Sequence, residues 1–404
     1  MRVCLIYDCL FPHTVGGAER WYRDLAERLV AEGHDVTYLT LRQWERGETP
    51  EIDPRVRVVT AGPRMALYTA SGRRRTLPPL VFGFGVLWHL LRHGRRYEVV
   101  HTCSFPYFSV LAAGLARPLA RFARPAAGFA LVVDWFEVWS RSYWLDYLGG
   151  VGGRVGMLVQ RACAMVRQRA VCFSELHAAR LREEGLRGPI TVLRGLYAGT
   201  VEPTAARPTI GEPVVMFAAR LIPEKQVALA VAAVALAAER VEGLRGEFFG
   251  EGPERAALDA AIAEHRLEGV VTARGFAETE TVDSEMRRAM CLLLTSRREG
   301  YGLVVVEAAA RSTPSVVVAG EDNAATELID EGVNGTIAAT SDPRAVADAI
   351  VRVHEAGLAL RESTARWFAE NAEWLSLESS LRKVLELYAG GLTAQRPPSQ
   401  THHG

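Results

Sequence analysis

The stretch SRREGYGLVVVEAA, residues 296–309, sets two carboxylates, Glu299 and Glu307, at either end of an apolar run, with glycines beside the first. Its first half has loop composition, while Leu303, Val306 and Ala310 recur at helical spacing. Glu299 then stands beside the free N–H groups of a helix start, and Glu307 about two turns along. Two acids so placed can contact different parts of one elongated ligand. The amides near Gly302 and Leu303 can bind its phosphate, because glycine leaves the approach open. A plainer arrangement also fits the spacing, with Glu299 capping the helix and Glu307 merely exposed on it.

Two other segments carry charge or glycine at comparable places. In FAARLIPEKQ, residues 217–226, Arg220 and Lys225 fall on the loop after an apolar strand, where two cations can converge on a diphosphate or simply form solvated salt bridges. Lysine is nearly absent from this chain. Only Lys225 and Lys383 occur beside 45 arginines, so a lysine at this loop marks a position that arginine does not fill. In DCLFPHTVGGAERW, residues 8–21, Gly16 and Gly17 end a loop and open a helix, which suits either an anion at the helix N-terminus or a tight turn with no ligand.

The elements that must position these residues follow from periodicity. Short β-branched runs alternate with amphipathic helical stretches from RVCLIYD (2–8) to PITVLR (189–194), and again from VVMFAA (214–219) to NGTIAA (334–339). Such alternation predicts parallel sheets covered by helices on both faces, with ligands at the carboxyl ends of the strands. A Pro-, Gly- and Thr-rich segment separates the two series, as a linker does. The expected organisation is an N-terminal domain over 1–196, a linker at 197–212, a second domain over 213–358, C-terminal helices over 359–389 packing back towards the N-domain, and a disordered tail over 390–404.

Composition narrows the classes. At 404 residues the chain is long for one core, and nearly half of it is apolar, which excludes a disordered or fibrous protein. No apolar run reaches the ~18–20 residues needed to span a bilayer. LVFGFGVLWHLL (80–91) and FPYFSVLAAGLA (105–116) read as buried or surface-seeking helices. MRVCLIYD has the pattern of a first strand, without the features of a signal peptide, so a cytoplasmic location is expected. Six scattered cysteines form no CxxC pair, and no metal site or disulfide framework is expected. Residues 1–200 carry 27 arginines against 17 acids, while 201–404 carry 20 basic residues against 30 acids. Opposite signs suit two domains facing each other, and the basic half suits an anionic ligand or a peripheral membrane surface, with arginines clustered at 71–75, 92–96 and 116–125. No nucleic-acid partner is expected. The aromatic run DWFEVWSRSYWLDY (134–147) suits either stacking on sugar rings or a core helix with its loop.

Taken together, GGAE (16–19), ARLIPEK (219–225) and EGYGLVVVE (299–307) resemble the motifs of retaining glycosyltransferases of family 4, and GEGPERAAL (250–258) and EDNAATELIDEGVNG (321–335) are similar to that family's usual run. The resemblance covers 213–356 most fully, and 42–195 least. It implies a GT-B fold, two Rossmann-like doubly wound domains facing each other across a cleft, and transfer of a hexose-type sugar from a UDP- or GDP-linked donor to a hydroxyl of a small-molecule, natural-product, lipid-linked or polysaccharide acceptor, with no other cofactor. By that resemblance Arg220 and Lys225 would hold the donor diphosphate, Glu307 the ribose hydroxyls and Glu299 the sugar near the reacting carbon. Gly302, Leu303, Gly16 and Gly17 would complete the phosphate cradle. Ala219, Gln226 and the pair Arg311-Ser312 depart from the family's more frequent glycine, glycine and Cys-Gly. The family often shows a histidine facing the donor sugar where this chain reads FALVVDWFEVW; of Asp134, Phe136 and Glu137, Asp134 is the expected catalytic-side residue. With no D-x-D, a metal-independent reaction is expected. A nucleotide-sugar epimerase, a phosphorylase or a non-catalytic sugar-binding protein on the same scaffold is the alternative.

Overall fold

The computed structural model describes residues 1–14, 16–45, 47–69, 74–122, 128–199 and 213–393. These divide into two compact units, one holding 1–69, 74–194 and 378–393, the other 195–199 and 213–377. Most of the expected linker, from 200 to 212, and the tail from 394 lie outside the described residues.

In the first unit the β-branched runs form β1 (Arg2–Ile6), β2 (Asp35–Thr40), β3 (Arg57–Thr60), β4 (Val99–Cys103), β5 (Ala130–Trp135), β6 (Arg169–Cys172) and β7 (Ile190–Val192). They alternate with α1 (Gly17–Ala31), α2 (Leu77–His93), α3 (Phe108–Phe122), α4 (Arg141–Met165) and α5 (Glu175–Glu183). The sheet is parallel in the order β3-β2-β1-β4-β5-β6-β7. Covered on both faces, its central strands have no polar side to spare. Val3 to Ile6 and every residue of β4 and β5 are buried. On α1 the buried Trp21, Tyr22, Leu25, Leu29 and Val30 recur at helical spacing, and ion pairs such as Arg23 with Glu27 occupy its outer side.

The second unit repeats the plan with β8 (Val214–Ala218), α6 (Val227–Ala238), β9 (Arg245–Phe249), α7 (Arg255–Glu264), β10 (Val271–Gly275), α8 (Thr279–Arg288), β11 (Cys291–Leu294), β12 (Arg298–Glu299), α9 (Leu303–Ala309), β13 (Ser315–Val318), β14 (Asp322–Asn323), β15 (Gly335–Ala338) and α10 (Pro343–Leu375). Its six-stranded parallel sheet runs β10-β9-β8-β11-β13-β15, and β12 and β14 form a separate parallel pair. The almost wholly apolar α6 packs between sheet, α7 and α10, which is why it carries no polar face. The connections differ in length. Ala324–Leu328 is only a 3-10 turn, whereas α10 runs unbroken in the chain from Pro343 to Leu375 through a kink at Gly357 (φ 53°).

Residues 358–377 therefore belong to the second unit, and only α11 (Leu377–Thr393) packs with the first. It buries Leu381, Val384 and Tyr388, each worth roughly 2 kcal/mol. The Tyr388 hydroxyl lies 2.6 Å from His101 Nδ1, His101 Nε2 lies 2.7 Å from Asp134 Oδ1, and Trp21 Nε1 donates to Asp134 Oδ2 at 2.8 Å. An imidazole donating to the carboxylate through Nε2 accepts the phenol proton at Nδ1, so every polar atom in this fully buried chain of groups is satisfied. At the rim, Arg28 grips Glu378 through two N–H groups and Arg169 donates to the Gly390 carbonyl at 2.9 Å.

The aromatic run at 134–147 is core. Trp135, Trp139, Tyr143 and Trp144 are buried, and Gln160 Oε1 accepts from Tyr107 Oη, the Trp139 amide and Trp144 Nε1 at 2.9, 3.0 and 3.2 Å. All six cysteines are buried and unpaired, and burial pushes the Cys4 and Cys291 thiols up to about 12, away from nucleophilic use.

Two outcomes follow from this packing. Tyr388→Ala should lower stability by about 3–5 kcal/mol and Tyr388→Phe by about 1–3 kcal/mol, read by chemical denaturation, since the second leaves only His101 Nδ1 unpaired. His89, 2.8 Å from Tyr97 Oη and beside His93, is lowered by burial to about 4 from its ordinary 6.5. Between these values the unfolded chain takes up a proton that the folded one refuses, so stability falls as pH falls through that window. His89→Gln should lose less stability than the parent when unfolding is followed from neutral pH to about 5.

Candidate functional site

The carboxyl ends of β8 and β11 meet at the point where the second sheet reverses its strand order, β9 lying on one side of β8 and β11 on the other. The loop after β8 is shaped by close backbone packing. Gly250 and Gly252, both at positive φ, press against the carbonyls of Ala219 and Leu221, where a Cβ would come within 1.8 and 2.3 Å of oxygen. The Leu221 amide in turn donates to the Glu251 carbonyl at 2.9 Å. That explains the glycines of the GEG segment: they let one loop brace the other. Within the braced loop Arg220 is exposed, and no hydrogen bond or ion pair holds its side chain among the described residues. A single 3-10 turn, Pro223–Lys225, then turns the chain into α6.

Lys225 and Glu299 come together. Lys225 Nζ lies 2.5 Å from Glu299 Oε2, and Ser296 Oγ donates to the same oxygen at 3.1 Å. The two loops are tied by backbone as well, through the Arg297 amide to the Glu224 carbonyl at 2.8 Å and Thr295 Oγ1 to the Lys225 carbonyl at 2.7 Å. Glu299 itself sits on β12, which pairs with β14 in register Glu299 to Asn323. Asn323 Nδ2 donates to the carbonyls of Ser296 and Val318 at 3.0 and 2.8 Å, and its Oδ1 caps the following turn at Ala325. A buried amide thus fixes the backbone on which the carboxylate rides.

Gly302 follows at φ 98° as the N-cap of α9, and a Cβ there would lie 2.6 Å from Ala325 Cβ, so glycine is required on both conformational and steric grounds. Glu307 is on α9, one turn from the helix start and not two, and it is half-buried. Tyr301, between the two glycines, turns inward, and burial raises its hydroxyl well above the ordinary phenol range. Two departures from the family pattern share one cause. Gln226 (φ 49°) and Ser312 (φ 60°) are both left-handed, the conformation that glycine adopts without strain.

In the first unit, Gly17 opens α1 after β1, with Gly16 extended at the N-cap (φ −175°). A Cβ on Gly16 would collide with Glu19 Oε2 at 2.3 Å, so that glycine makes room for the buried acid of the GGAE motif. Asp134 does not fill the role expected of it. It is fully buried at the end of β5, with its two oxygens already taken by Trp21 and His101. Glu137, half-buried in the loop beyond, accepts from Trp139 Nε1 at 2.9 Å. Arg74, counted with the basic surface from sequence, is instead buried against Asp8, its guanidinium 4.9 Å from the centre of the Phe105 ring. Sequence reasoning passed over Thr295, Ser296 and Asn323; an Asn just before a short helical run is an N-cap signal that could have pointed to the last. Among the described residues, no three His, Cys, Asp or Glu side chains group as a metal-ligand set.

Comparison with known proteins places this architecture. The chain matches the profile of glycosyl transferases group 1 over residues 205–373 and that of a glycosyl transferase 4-like domain over residues 16–195. The alpha-D-kanosaminyltransferase of Streptomyces kanamyceticus is 29% identical over 141 residues, covering 35% of this chain and 36% of that protein, so the match spans about a third of that relative's length. The glycogen synthase of Mycobacterium tuberculosis is 26% identical over 375 residues, 87% of this chain and 85% of that protein. Among solved structures, sucrose-phosphate synthase from Thermosynechococcus elongatus superposes with a TM-score of 0.75 at 19% identity over 97% of this chain and 99% of its own. HepE from Anabaena, in complex with UDP, does so with a TM-score of 0.70 at 17% identity over 96% and 100%. With a profile matching each Rossmann-like unit and the GT-B architecture shared along its length, the chain belongs to the group 1 glycosyltransferases.

Proposed function

We propose that the protein transfers a hexose-type sugar, with retention at the anomeric carbon, from a nucleoside-diphosphate donor to a hydroxyl of a small-molecule, natural-product, lipid-linked or polysaccharide acceptor. The observation that carries this reading is the Lys225–Glu299 pair, 2.5 Å apart and built from the two loops that flank the switch point of the second sheet. Lys225 has three N–H groups and spends one on Glu299, so two can serve phosphate oxygens while the pair keeps both side chains in place. Arg220, held by no partner among the described residues, supplies the second cation. Glu299 orients the sugar near the reacting carbon, Glu307 holds the ribose hydroxyls, and the amides of Gly302 and Leu303 take up the remaining phosphate oxygens. These roles rest on the family resemblance, supported by a structural neighbour that holds UDP.

In the transfer step the bond between the anomeric carbon and the diphosphate oxygen breaks, and the bond to the acceptor oxygen forms on the same face. The acceptor proton passes to the leaving phosphate oxygen. No protein nucleophile is needed, and the charge that builds on the diphosphate is met by Arg220, Lys225 and backbone N–H groups. Asp134, being enclosed, takes no part.

Release of UDP or GDP from a panel of nucleotide sugars tests this directly. Glu299→Ala and Lys225→Ala should each lower kcat/KM by about a hundred- to a thousandfold while circular dichroism stays unchanged. Lys225→Arg should also fail to restore the rate, because a planar guanidinium cannot replace a compact ammonium in contact with Glu299. Turnover unchanged in Glu299→Ala would remove the site assignment. Activity should survive a chelator that strips divalent cations; loss of turnover on chelation, restored by Mg2+ or Mn2+, would show that a metal shares the diphosphate charge.

A further inference from the structure

The outer side of α2 is apolar where a surface helix is ordinarily polar. Leu77, Leu80, Phe84, Trp88 and Leu91 recur at steps of three or four and are all exposed, Phe84 by 70% and Trp88 by 51%, while Phe82, Val86 and Leu90 face the core. On α4 a second row, Val151, Val155, Leu158 and Met165, is exposed by 53–78%. The connections β3-α2-β4, β4-α3-β5 and β5-α4-β6 all move in the same direction across a parallel sheet. Right-handed crossovers therefore put α2, α3 and α4 side by side on one face. α2 packs along α3, and the exposed Leu115 of α3 lies between the two rows. The three helices make an apolar face roughly 20 Å by 20 Å. That exceeds the scattered apolar residues normal for a soluble surface.

Charge says what covers it. The three helices carry six arginines and one acid, Asp146. Arg95, Arg96 and Arg167, just beyond helix ends, are exposed too. Arg92 stacks its guanidinium 3.9 Å from the centre of the Trp88 ring, which leaves its N–H groups free to meet an anion while the indole reaches apolar ground. The fourth helix of this face, α5, balances Glu175 and Glu183 with Arg180 and Arg182 and exposes no large apolar side chain, so the patch ends there. Of the arginine clusters seen in the sequence, residues 71–73 and 123–125 lie outside the described residues. No helix among the described residues is long and apolar enough to cross a membrane.

We propose that this face lies on the surface of an anionic lipid bilayer, with the rows of α2 and α4 sunk to the level of the acyl boundary and the arginines on lipid phosphates. A second copy of the chain is the poorer occupant, since a symmetric contact would set arginine rows against each other. Phosphate attraction adds about fivefold in affinity per arginine near the surface, and the apolar rows hold the protein in place once it arrives.

Co-sedimentation of the full chain with vesicles tests the proposal. The protein should bind vesicles of phosphatidylcholine mixed with phosphatidylglycerol, bind pure phosphatidylcholine weakly, and lose binding as salt rises. Phe84→Ser with Trp88→Ser should weaken binding by about tenfold or more. Arg154→Glu with Arg161→Glu, which leaves the apolar rows intact, should weaken it at least as much on anionic vesicles and little on neutral ones. Absence of binding to anionic vesicles, or binding that neither pair of substitutions weakens, overturns it. So does a wild-type dimer in sedimentation velocity that Phe84→Ser with Trp88→Ser converts to monomer, in a protein that ignores vesicles; that result would assign the face to self-association.

Discussion

The contact between Lys225 and Glu299 depends on a constraint of parallel sheets. Because every strand of the second sheet runs the same way, all the loops that follow strands emerge at one edge. Where the order reverses, between β8 and β11, the loops on either side are drawn apart by their own crossovers, and side chains can meet across the opening. Lys225 comes from one of these loops and Glu299 from the other, seventy-four residues later. Neither residue would find the other in an antiparallel arrangement of the same strands. The braces around them, Gly250 against Ala219 and Asn323 against Ser296, hold backbone rather than side chains, so the charged groups are placed by the rigid part of the fold.

The first unit uses a buried polar chain for a different purpose. Trp21, Asp134, His101 and Tyr388 link α1, two adjacent strands and α11 through hydrogen bonds in which no atom is left over. Such a network is costly to break from any side, which is why the final helix joins the first unit although the residues just before it belong to the second. The acid that sequence pattern places at a strand end, where chemistry is usual, has been consumed by architecture. Its neighbours in the aromatic run are consumed likewise, around Gln160.

Local strain is visible at two non-glycine residues with left-handed backbone. Gln226 and Ser312 hold left-handed backbone at a cost of about 1–2 kcal/mol each. Gln226 precedes α6 directly after Lys225, so the turn that aims the lysine forms without the glycine that would adopt it freely. At Gly302 the obstacle to a side chain is also steric, since Ala325 lies against it.

Sequence alone determined the two series of parallel strands, the motifs at their carboxyl ends and the two scarce lysines, because periodicity, glycine and charge are local properties that a single chain displays. Glu299, Lys225 and Gly302 were legible for that reason. What side chains do when distant segments meet is not local, and tertiary structure decided it: that Asp134 is enclosed, that Arg74 is a core partner of Asp8, that the aromatic run is packing, and that α10 and α11 part company. It also decided that the apolar residues of α2 face outward, since a helical pattern shows that one side is greasy but only the neighbours that pack against the helix show which side has been covered.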